Sequence, residues 1–489
     1  MDGCTELVFD DVKVSTVDEG TGEMGEEVEV RIVVKVGPEQ ALVLILKREG
    51  GEKIVEAPLG PNSIYQLGKR ACMVRLGGGE RPSTCCRVRS ANASAASRLY
   101  MALESAQPGK TAHSWFEKKI DQSSAELYFH YYGTLQHQQN MLQDYIRTGS
   151  YYTAIQGNRD DFEGKTVMDV GAGSGILSLF AAQAGAKKVY AVEASVMAEY
   201  ARKLAVDNPG LGERIEVVQG KVEEIKIEEK MDVLISEPIG TLLVNERMLE
   251  TYLYARDHFL KPNGKMFPKV GRIQVAAFSD EVLHNELLTR AAFWMQENFY
   301  GVNVSSLHKE AVNQYFSQVV IDAFDPGLLV SAPVMKVVDF STVREEELYD
   351  IEIPLKLTVV RPCMIHGIAC WFDIFFDGST RGEWLSTAPG HPATHWFQLR
   401  CVMQKPLWAT GGCQVVGKMR LVAHARQSYD VHVTLEVPPI AEGMESQKTS
   451  GVLDLKEPYY RQLTSWWHSQ GPAPPPPRMG GDMHVDGCG

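Results

Sequence analysis

Short hydrophobic runs separated by turn residues dominate the first hundred residues of the chain. Apolar and β-branched side chains fill 28–36, 42–46, 54–57 and 71–76, and Gly-, Pro- and Glu-rich breaks separate them. This pattern predicts a small β-barrel closed by a helix over about 93–105. The segment contains no catalytic pattern, so an interaction module and a structural appendage both remain open.

Strand-like and helix-like runs alternate from about 123 to 268. Such alternation predicts a parallel sheet with covering helices, that is, a Rossmann-like α/β domain. The predicted strands are 165–170, 188–192, 215–219 and 231–236, and the predicted helices are 176–184 and 198–206.

The alternation stops after residue 268. Residues 280–323 have a helical pattern, and 352–437 are rich in short strands, which together predict a β-barrel domain carrying a helical arm. The predicted organisation is a β module at 1–107, the α/β domain at 108–268, the β-barrel domain at 269–467 with its arm at about 289–322, and a disordered Pro/Gly-rich tail at 468–489.

Charge narrows the classes of partner. The 489 residues include 49 Lys+Arg and 62 Asp+Glu, a net charge of −13. Nucleic-acid binding through phosphates requires a surplus of basic residues, so we expect no direct nucleic-acid partner and favour basic proteins or peptides. The N-terminus lacks a signal-peptide pattern and the apolar runs are too short for a membrane span, so we expect no membrane partner.

The nine cysteines are odd in number and scattered, and they form no CxxC pair. We therefore expect reduced thiols and no metal, in a protein of the nucleus and cytoplasm.

The strongest local motif lies between a predicted strand and a predicted helix and reads DVGAGSG at 169–175. Gly171, Gly173 and Gly175 allow a sharp turn and a close approach of the backbone to a ligand. Dinucleotide sites have the spacing GxGxxG instead. The compressed spacing after Asp169 is the form found in S-adenosylmethionine-dependent methyltransferases.

Two further elements support a nucleoside ligand. Glu193 ends the next strand, where a carboxylate can accept hydrogen bonds from both ribose hydroxyls. After the following strand, Val222 offers an apolar wall and Glu223 an acceptor for an exocyclic amine. A solvated surface glutamate is the alternative interpretation of Glu193 alone.

Several motifs together resemble the protein arginine methyltransferases over about 123–461. SEPIG at 236–240 and NERMLE at 245–250 are similar to that family's double-glutamate loop, and Thr394-His395-Trp396 to its Thr-His-Trp loop. YFHYY at 128–132, QQNM at 138–141 and DYIRTGSY at 144–151 resemble its cofactor-covering helices. The proline after Glu237 and the β-rich N-terminal region resemble the coactivator-associated, type I branch, whose N-terminal domain is pleckstrin-homology-like.

The resemblance implies a role for individual residues. It places Arg147 on the methionine carboxylate of S-adenosylmethionine, Gln138 and Phe129 near the cofactor, and Thr251 beside the adenine. It also implies that Tyr128, Tyr132, Met141 and Met248 line the substrate pocket, although ordinary helix packing would explain the same spacing. Two positions depart from the family pattern, Thr241 and Tyr131, and both could alter the substrate channel.

By resemblance, Glu237 and Glu246 are the expected catalytic pair, whereas their spacing alone would also fit two unrelated acids at the end of a strand and the start of a helix. A guanidinium is planar, remains charged up to about pH 12 and is a poor nucleophile, because its lone pairs are delocalised. Two carboxylates can bind it, turn one terminal nitrogen towards the sulfonium methyl of the cofactor and localise positive charge on the other nitrogen. By resemblance, His395 either positions this loop or carries the proton that leaves.

The leading hypothesis is an enzyme that forms monomethyl and asymmetric dimethyl arginine in proteins such as the histone H3 tail and in proline-containing arginine motifs. It would act in transcriptional regulation and chromatin, as a homodimer formed through the arm. A small-molecule methyltransferase and a scaffold with secondary catalysis are the alternatives. Arg478, in the Pro-rich tail, is a candidate for automethylation.

Overall fold

The computed structural model of the protein describes residues 5–18, 21, 24–36, 41–47, 52–68, 70–76, 84–90, 96, 99–100, 103, 119–439 and 445–461. Contacts divide the chain into two units, Met1–Lys119 and Ile120–Gly489. The boundary predicted at 107/108 and the tail at 468–489, including Arg478, lie outside the described residues and stay predictions.

The first unit contains a closed barrel of six antiparallel strands in chain order, with β1 pairing β6. Alternate side chains such as Val30, Ile32 and Val34 face a common core, as a strand period of two requires. Strands β2 and β5 have the predicted bounds, whereas β1 and β6 were missed. The strands are β1 (Thr5–Val17), β2 (Val28–Val36), β3 (Ala41–Lys47), β4 (Lys53–Gly68), β5 (Ala71–Leu76) and β6 (Thr84–Ser90).

The predicted capping helix lies mostly outside the described residues. Four residues of it are described as helical, namely Ala96, Leu99, Tyr100 and Leu103. Leu99 and Leu103 are buried and belong to the same apolar cluster as the barrel interior. This contact supports a helix that covers one opening of the barrel.

The second unit begins with four helices and a five-stranded parallel sheet of order β11-β10-β7-β8-β9. The helices are α1 (Gln122–Tyr132), α2 (Leu135–Gln143), α3 (Tyr145–Gln156) and α4 (Arg159–Phe162), followed in the sheet region by α5 (Ile176–Gln183), α6 (Met197–Val206) and α7 (Met248–Phe259). The strands are β7 (Thr166–Val170), β8 (Lys188–Glu193), β9 (Ile215–Gln219), β10 (Met231–Ser236) and β11 (Leu260–Phe267). This confirms the predicted Rossmann-like fold.

The strand order reverses beside β7. The chain passes from β7 outward to β8 and β9, then returns to β10 on the other side of β7. Open α/β sheets bind ligands at the carboxyl ends of the strands flanking such a switch point. Here those ends carry the glycine loop after β7 and Glu237 after β10.

The rest of the chain forms a ten-stranded sheet of order β14-β12-β16-β18-β13-β21-β20-β19-β15, with β17 pairing β16. Its edge strands β14 and β15 approach each other, with Cα atoms within 8 Å, so the sheet curls into a nearly closed barrel. The strands are β12 (Val270–Phe278), β13 (Gln318–Asp322), β14 (Val334–Asp339), β15 (Asp350–Thr358), β16 (Cys363–Asp377), β17 (Gly382–Ser386), β18 (Gln398–Ala409), β19 (Gln414–His424), β20 (Ser428–Val437) and β21 (Gln447–Tyr460).

The helical arm follows β12. It contains α8 (Glu281–Ala292) and α9 (His308–Tyr315), with 3₁₀ turns between them. The helical prediction is wrong for its last residues, because Gln318–Asp322 is strand β13 and pairs with both β18 and β21. A short apolar run such as Val319–Val320–Ile321 has no periodicity that separates a buried strand from a buried helix.

The α/β sheet and the curled sheet share one continuous apolar core, which includes Leu243, Tyr252, Phe267, Phe340 and Phe376. Polar contacts reinforce this junction: the side chain of Asn158 accepts hydrogen bonds from the backbone of Thr380 and Arg381. The two domains therefore hold each other's loops in fixed positions.

Two smaller findings concern the whole of the described chain. Cys72, Cys85, Cys86, Cys363, Cys370, Cys401 and Cys413 are free thiols. Among the helices within the described residues, none combines the length and apolar character that a membrane crossing requires.

Candidate active site

The glycine loop turns sharply at the carboxyl end of β7. Gly171, Gly173 and Gly175 have φ angles of 69°, 55° and 84°, the left-handed region that favours glycine. A Cβ at Gly173 would lie 2.7 Å from Oε1 of Gln138, and one at Gly171 would lie 2.2 Å from Cε of Met248. Gln138 and Met248, which are expected at the cofactor and substrate sites, therefore pack directly against this loop.

Glu193 at the end of β8 holds the same loop from the other side. Its carboxylate accepts hydrogen bonds from the backbone N–H of Gly173 and of Ser195, both at 2.8 Å. The residue is buried, which rules out the alternative of a solvated surface glutamate. Its two oxygens lie beside the loop, as the predicted ribose contact requires.

Asp169 differs from a typical ligand-binding acid. It is fully buried, and Oδ2 accepts a hydrogen bond of 2.7 Å from the Ser178 hydroxyl on α5. Burial raises its pKa to about 7 against the lowering effect of Ser178. Its visible contact ties β7 to α5, and Oδ1 has no partner among the described residues, so its predicted cofactor contact stays a prediction.

The predicted adenine residues lie together. The Thr251 hydroxyl donates to Oε1 of Glu223 at 2.7 Å, joining α7 to the loop after β9. Burial raises the Glu223 pKa, while this hydrogen bond lowers it in part. Val222 is buried in the core beside them. An apolar wall next to a carboxylate suits a planar base with an exocyclic amine.

The loop between β10 and α7 carries both glutamates and an unusual backbone. Leu242, Leu243, Glu246 and Arg247 all have φ between 58° and 72°. Gly240 has no room for a side chain, because a Cβ would lie 2.1 Å from the Asn245 carbonyl oxygen. Left-handed conformations of residues other than glycine cost about 1–3 kcal/mol each and cluster at functional sites.

Glu237 is bound by a guanidinium from the chain itself. Nη2 of Arg147 donates to Oε2 of Glu237 at 2.9 Å, and both side chains are less than one tenth exposed. The Ile239 N–H donates to the other oxygen at 3.2 Å. Nε of Arg147 is buried without a partner among the described residues and remains available to a ligand carboxylate.

Glu246, in the same loop, is half-buried. The Tyr132 hydroxyl on α1 donates to its Oε2 at 2.8 Å. Burial raises its pKa to about 7, and the charge of Glu237 adds to the rise, while the hydrogen bond from Tyr132 lowers it. The two carboxylates therefore influence each other electrostatically, as a pair that clamps one cation would.

The predicted pocket residues on α1 meet the glutamate loop. The Tyr128 hydroxyl lies 3.4 Å from Sδ of Met248, and its ring contacts those of Phe129 and Tyr132. Tyr131 instead stacks on His137, with ring centroids 3.4 Å apart. Tyr128, Tyr132 and Met248 thus come together as expected.

Two predicted positions are less informative. The carbonyl of Met141 accepts a bond from Thr148, which fixes its backbone but does not place its side chain in the pocket. Thr241 accepts a backbone hydrogen bond from Asn245 within the glutamate loop. The pocket role of Met141 and the effect of Thr241 stay predictions.

Within the part of the chain that the structure describes, His395 forms hydrogen bonds with Asp144 and with neither glutamate. Its backbone N and its Nδ1 both bind Oδ2 of Asp144, at 2.8 and 2.7 Å. Asp144 also caps α3 by accepting from the Arg147 N–H at 2.9 Å. The tie to the glutamate loop comes from the neighbouring Trp396, whose Nε1 donates to the Ile239 carbonyl. The geometry therefore favours positioning for His395, acting through Asp144.

Sequence reasoning missed the residues that support this site. Asp144, Trp396 and Ser178 stood inside or beside quoted motifs, and the capping pattern of Asp144 before a helix was a usable signal. Arg247 and Glu250 lie within the NERMLE motif, which indicates no role for either of them. In the structure they form a buried ion pair next to Glu246 in the chain.

The site has the features that S-adenosylmethionine requires. A carboxylate and an adjacent apolar wall suit the adenosine, the glycine loop permits close approach, and the unpartnered Nε of Arg147 can bind an amino-acid carboxylate. The site offers glutamates, backbone amides and one guanidinium. These groups suit a ligand that is an organic cation with a carboxylate at one end.

Comparison with known proteins gives the same assignment. The family model for the arginine methyltransferase oligomerization subdomain matches 270–438, and that for ribosomal protein L11 methyltransferase matches 153–258. The probable histone-arginine methyltransferase CARM1 of Oryza sativa subsp. indica is 58% identical over 352 residues, covering 71% of this chain and 67% of the relative. The probable histone-arginine methyltransferase 1.4 of Arabidopsis thaliana is 56% identical over 376 residues, covering 76% and 71%.

Solved structures agree. Protein arginine methyltransferase 10 of Arabidopsis thaliana has a TM-score of 0.61 at 31% identity, covering 67% of this chain and all of that chain. The Trypanosoma brucei PRMT1 enzyme-prozyme complex with AdoHcy has a TM-score of 0.58 at 32% identity, covering 66% and 99%. The chain therefore belongs to the S-adenosylmethionine-dependent protein arginine methyltransferases, in the branch of the CARM1-type histone-arginine methyltransferases.

Proposed function

We propose that this protein transfers methyl groups from S-adenosylmethionine to arginine side chains of proteins and is a type I enzyme. The observation that carries the proposal is the carboxylate pair of the loop after β10: Glu237 already binds the Arg147 guanidinium, and Glu246, whose pKa burial raises to about 7, feels the charge of Glu237. Such a pair suits a flat cation with several N–H donors.

When bound, S-adenosylmethionine supplies an electrophilic methyl group on a sulfonium. Glu237 and Glu246 bind the substrate guanidinium from one side, turn a terminal nitrogen towards the reaction centre and favour positive charge on the other nitrogen. Each methylation releases one proton from the guanidinium. A Glu246 oxygen, with a pKa of about 7, is suited to accept it, and Tyr132 keeps that carboxylate in place.

Support for the type I product comes from Met248. Its side chain lies between Tyr128 and Gly171, and Met248 follows Glu246 by two positions in the sequence. An adaptable thioether there would admit a methylated nitrogen back to the same position. Amino-acid analysis of methylated peptide should give asymmetric dimethylarginine, and symmetric dimethylarginine alone would defeat this assignment.

We further propose histone H3 and proline-containing arginine motifs as substrates, because both plant relatives are named histone-arginine methyltransferases and the net charge of −13 does not repel basic tails. The test is transfer of labelled methyl groups to an H3-tail peptide. A matched peptide with lysine in place of arginine should remain unlabelled. Labelling of small-molecule amines but of neither peptide would favour the alternative enzyme class.

A homodimer is part of the proposal. The matching family model describes an oligomerization subdomain, and the arm exposes Phe293 and Tyr300 to solvent. Exposed aromatic groups of this kind suit an interface. Sedimentation should show a dimer, and a fully active monomer would refute it. We also propose residence in the nucleus and cytoplasm, which fractionation of cells expressing the protein would test.

A further inference from the structure

The backbone on both sides of the peptide bond after Glu246 is strained. Glu246 and Arg247 have φ angles of 69° and 58°, in a region where residues other than glycine are uncommon. Two adjacent residues there would relax unless neighbouring groups held them. The question is which contacts keep Glu246 in this conformation.

The side chain of Arg247 provides one rigid attachment. Its Nε and Nη2 donate to the two oxygens of Glu250 on α7, at 2.6 and 2.9 Å. Its Nη1 donates to the carbonyl of His424 at 3.0 Å. Arg247 and Glu250 are each less than one tenth exposed, so this fork is buried at the base of the loop.

The charge of Arg247 is not what sets the protonation of Glu246. Burial, Tyr132, Glu237 and Lys456 are the influences that set the pKa of Glu246. The positive charge of Arg247 is paired instead with Glu250, whose hydrogen bonds and charge raise the pKa of the guanidinium against the lowering effect of burial. The contribution of Arg247 is therefore geometric: a planar group fixed by hydrogen bonds to Glu250 on one side and to His424 on the other.

The turn that receives Arg247 also holds other parts of the site. We call residues 424–428, from the last residue of β19 to the first of β20, the clamp turn. The Ser428 hydroxyl donates to Asn245 at 2.7 Å, one residue before Glu246. The Ser124 hydroxyl on α1 donates to Gln427. The clamp turn thus fixes the glutamate loop and the helix that carries Tyr132 relative to each other.

We propose that Arg247 is a positioning residue for Glu246, holding the strained peptide through Glu250 and the clamp turn so that the Glu246 carboxylate meets both Tyr132 and the substrate guanidinium. This inference rests on the proposed function. It assigns the buried ion pair a role in the reaction, beyond stabilising the fold.

The test compares Arg247→Lys with Arg256→Lys. Lysine keeps the charge but cannot form the fork. Arg256 is a matched control on α7, the helix that begins directly after Arg247: it is 13% exposed, and its Nη1 donates to the carbonyls of Phe340 and Val343. Arg247→Lys should lower kcat on an arginine peptide about 10- to 100-fold, with S-adenosylhomocysteine affinity within about threefold of wild type. Arg256→Lys should keep wild-type kcat.

The pH profile separates positioning from mere structural damage. The titratable groups around Glu246 are Glu237, Lys456, Tyr128, Tyr131, Tyr132 and Tyr460. A loosened loop admits water, so the pKa of Glu246 falls towards its ordinary value and the acid limb of kcat moves to lower pH. Simple loss of folded protein would lower activity at every pH without moving that limb.

Folding is checked by thermal unfolding. If Arg247→Lys lacks a cooperative unfolding transition, Glu250→Gln replaces it as the test variant, since it keeps the shape of residue 250 and the Arg247 side chain. It should lower kcat and move the acid limb of kcat to lower pH, as expected for Arg247→Lys. A folded variant with wild-type kcat and an unmoved limb overturns the inference and leaves the proposed function intact. A wild-type protein inactive on arginine peptides overturns both.

Discussion

The guanidinium of Arg147 binds the carboxylate of Glu237 at 2.9 Å, so a residue expected to hold the cofactor also touches one expected to hold the substrate. Both side chains are buried, and the ion pair links α3 to the loop after β10. The cofactor site and the arginine site therefore share this ion pair. We expect substitutions of Glu237 to disturb binding of both ligands, and substitutions of Glu246 to disturb only the substrate side.

The first prediction separates the two glutamates. Glu246→Gln keeps the shape and the contact with Tyr132 but removes the charge, so methylation should fall at least about 100-fold while S-adenosylhomocysteine still binds normally. Glu237→Gln should also weaken S-adenosylhomocysteine about 10-fold, because the buried Arg147 loses its counter-charge. Radiolabel transfer and calorimetry measure the two effects.

Glu224→Gln is the control, because Glu224 is 41% exposed and its side chain forms an exposed ion pair with Lys221, away from both glutamates of the loop after β10. Its activity should remain within about twofold of wild type. Full activity of Glu246→Gln would contradict the mechanism, since it would show that the charge of Glu246 is not needed to orient the guanidinium.

The second prediction concerns pH. Burial raises the pKa of Glu246 to about 7, so the carboxylate is protonated below that pH and charged above it. A neutral acid binds a guanidinium weakly, and kcat/KM should therefore rise with pH through about 7 and level off above it. The measurement is the initial rate at low peptide concentration across about pH 5.5–9.

Asp169 has a pKa of about 7 as well, and it could produce the same limb. Asp169→Asn keeps a hydrogen-bond acceptor for Ser178 and cannot titrate. The limb should persist in this variant and vanish in Glu246→Gln. The reverse result would move the titration from the substrate site to the strand beneath the glycine loop.

The fold was predictable where each element has its own local signal. Strand β7 is buried at all five positions, and a run of that kind bounded by a glycine loop is hard to misplace. By contrast, β6 has exposed and half-buried arginines among its cysteines, and β13 is a five-residue run in the middle of a predicted helical region. Pairing partners far away in the chain decide such strands, and spacing does not reveal them.

The site was predictable to the same extent. Residues within one motif, such as Gly171, Glu193 and Glu237, occupy the expected places. The contacts of Asp144 with His395 and of Arg247 with His424 join segments 251 and 177 residues apart. They depend on how the curled sheet packs on the α/β sheet, which hydrophobic patterning leaves open.

The third prediction tests the role of His395. Asp144→Asn removes the charge that faces His395 but leaves a capping side chain for α3. Hydrogen bonds from His395 and Arg147 lower the pKa of Asp144 despite the opposing effect of burial. This carboxylate therefore stabilises the fold above its unfolded pKa, and that contribution is lost as pH falls through the folded pKa.

Asp144→Asn should consequently unfold at lower temperature than wild type at pH 7, with the difference shrinking towards pH 3. His395→Gln should weaken S-adenosylhomocysteine binding, because α3 also carries Arg147. If His395→Gln instead left binding unchanged and only slowed turnover, the proton-carrying role would be favoured over positioning.

The last prediction isolates the close packing of the glycine loop. Gly171 and Gly164 have nearly the same φ, 69° and 70°, so alanine at either should cost about 1–2 kcal/mol of stability from the backbone alone. A Cβ at Gly164 meets nothing within 4 Å, whereas one at Gly171 would lie 2.2 Å from Cε of Met248. Met248 is flexible and can move, which keeps the extra loss of stability small. That movement displaces the Met248 side chain from its place beside Tyr128, so Gly171→Ala should lose at least about 10-fold in kcat/KM. Gly164→Ala should show the same loss of stability in thermal unfolding but keep its activity. Equal activity of the two variants would show that Met248 does not shape the pocket.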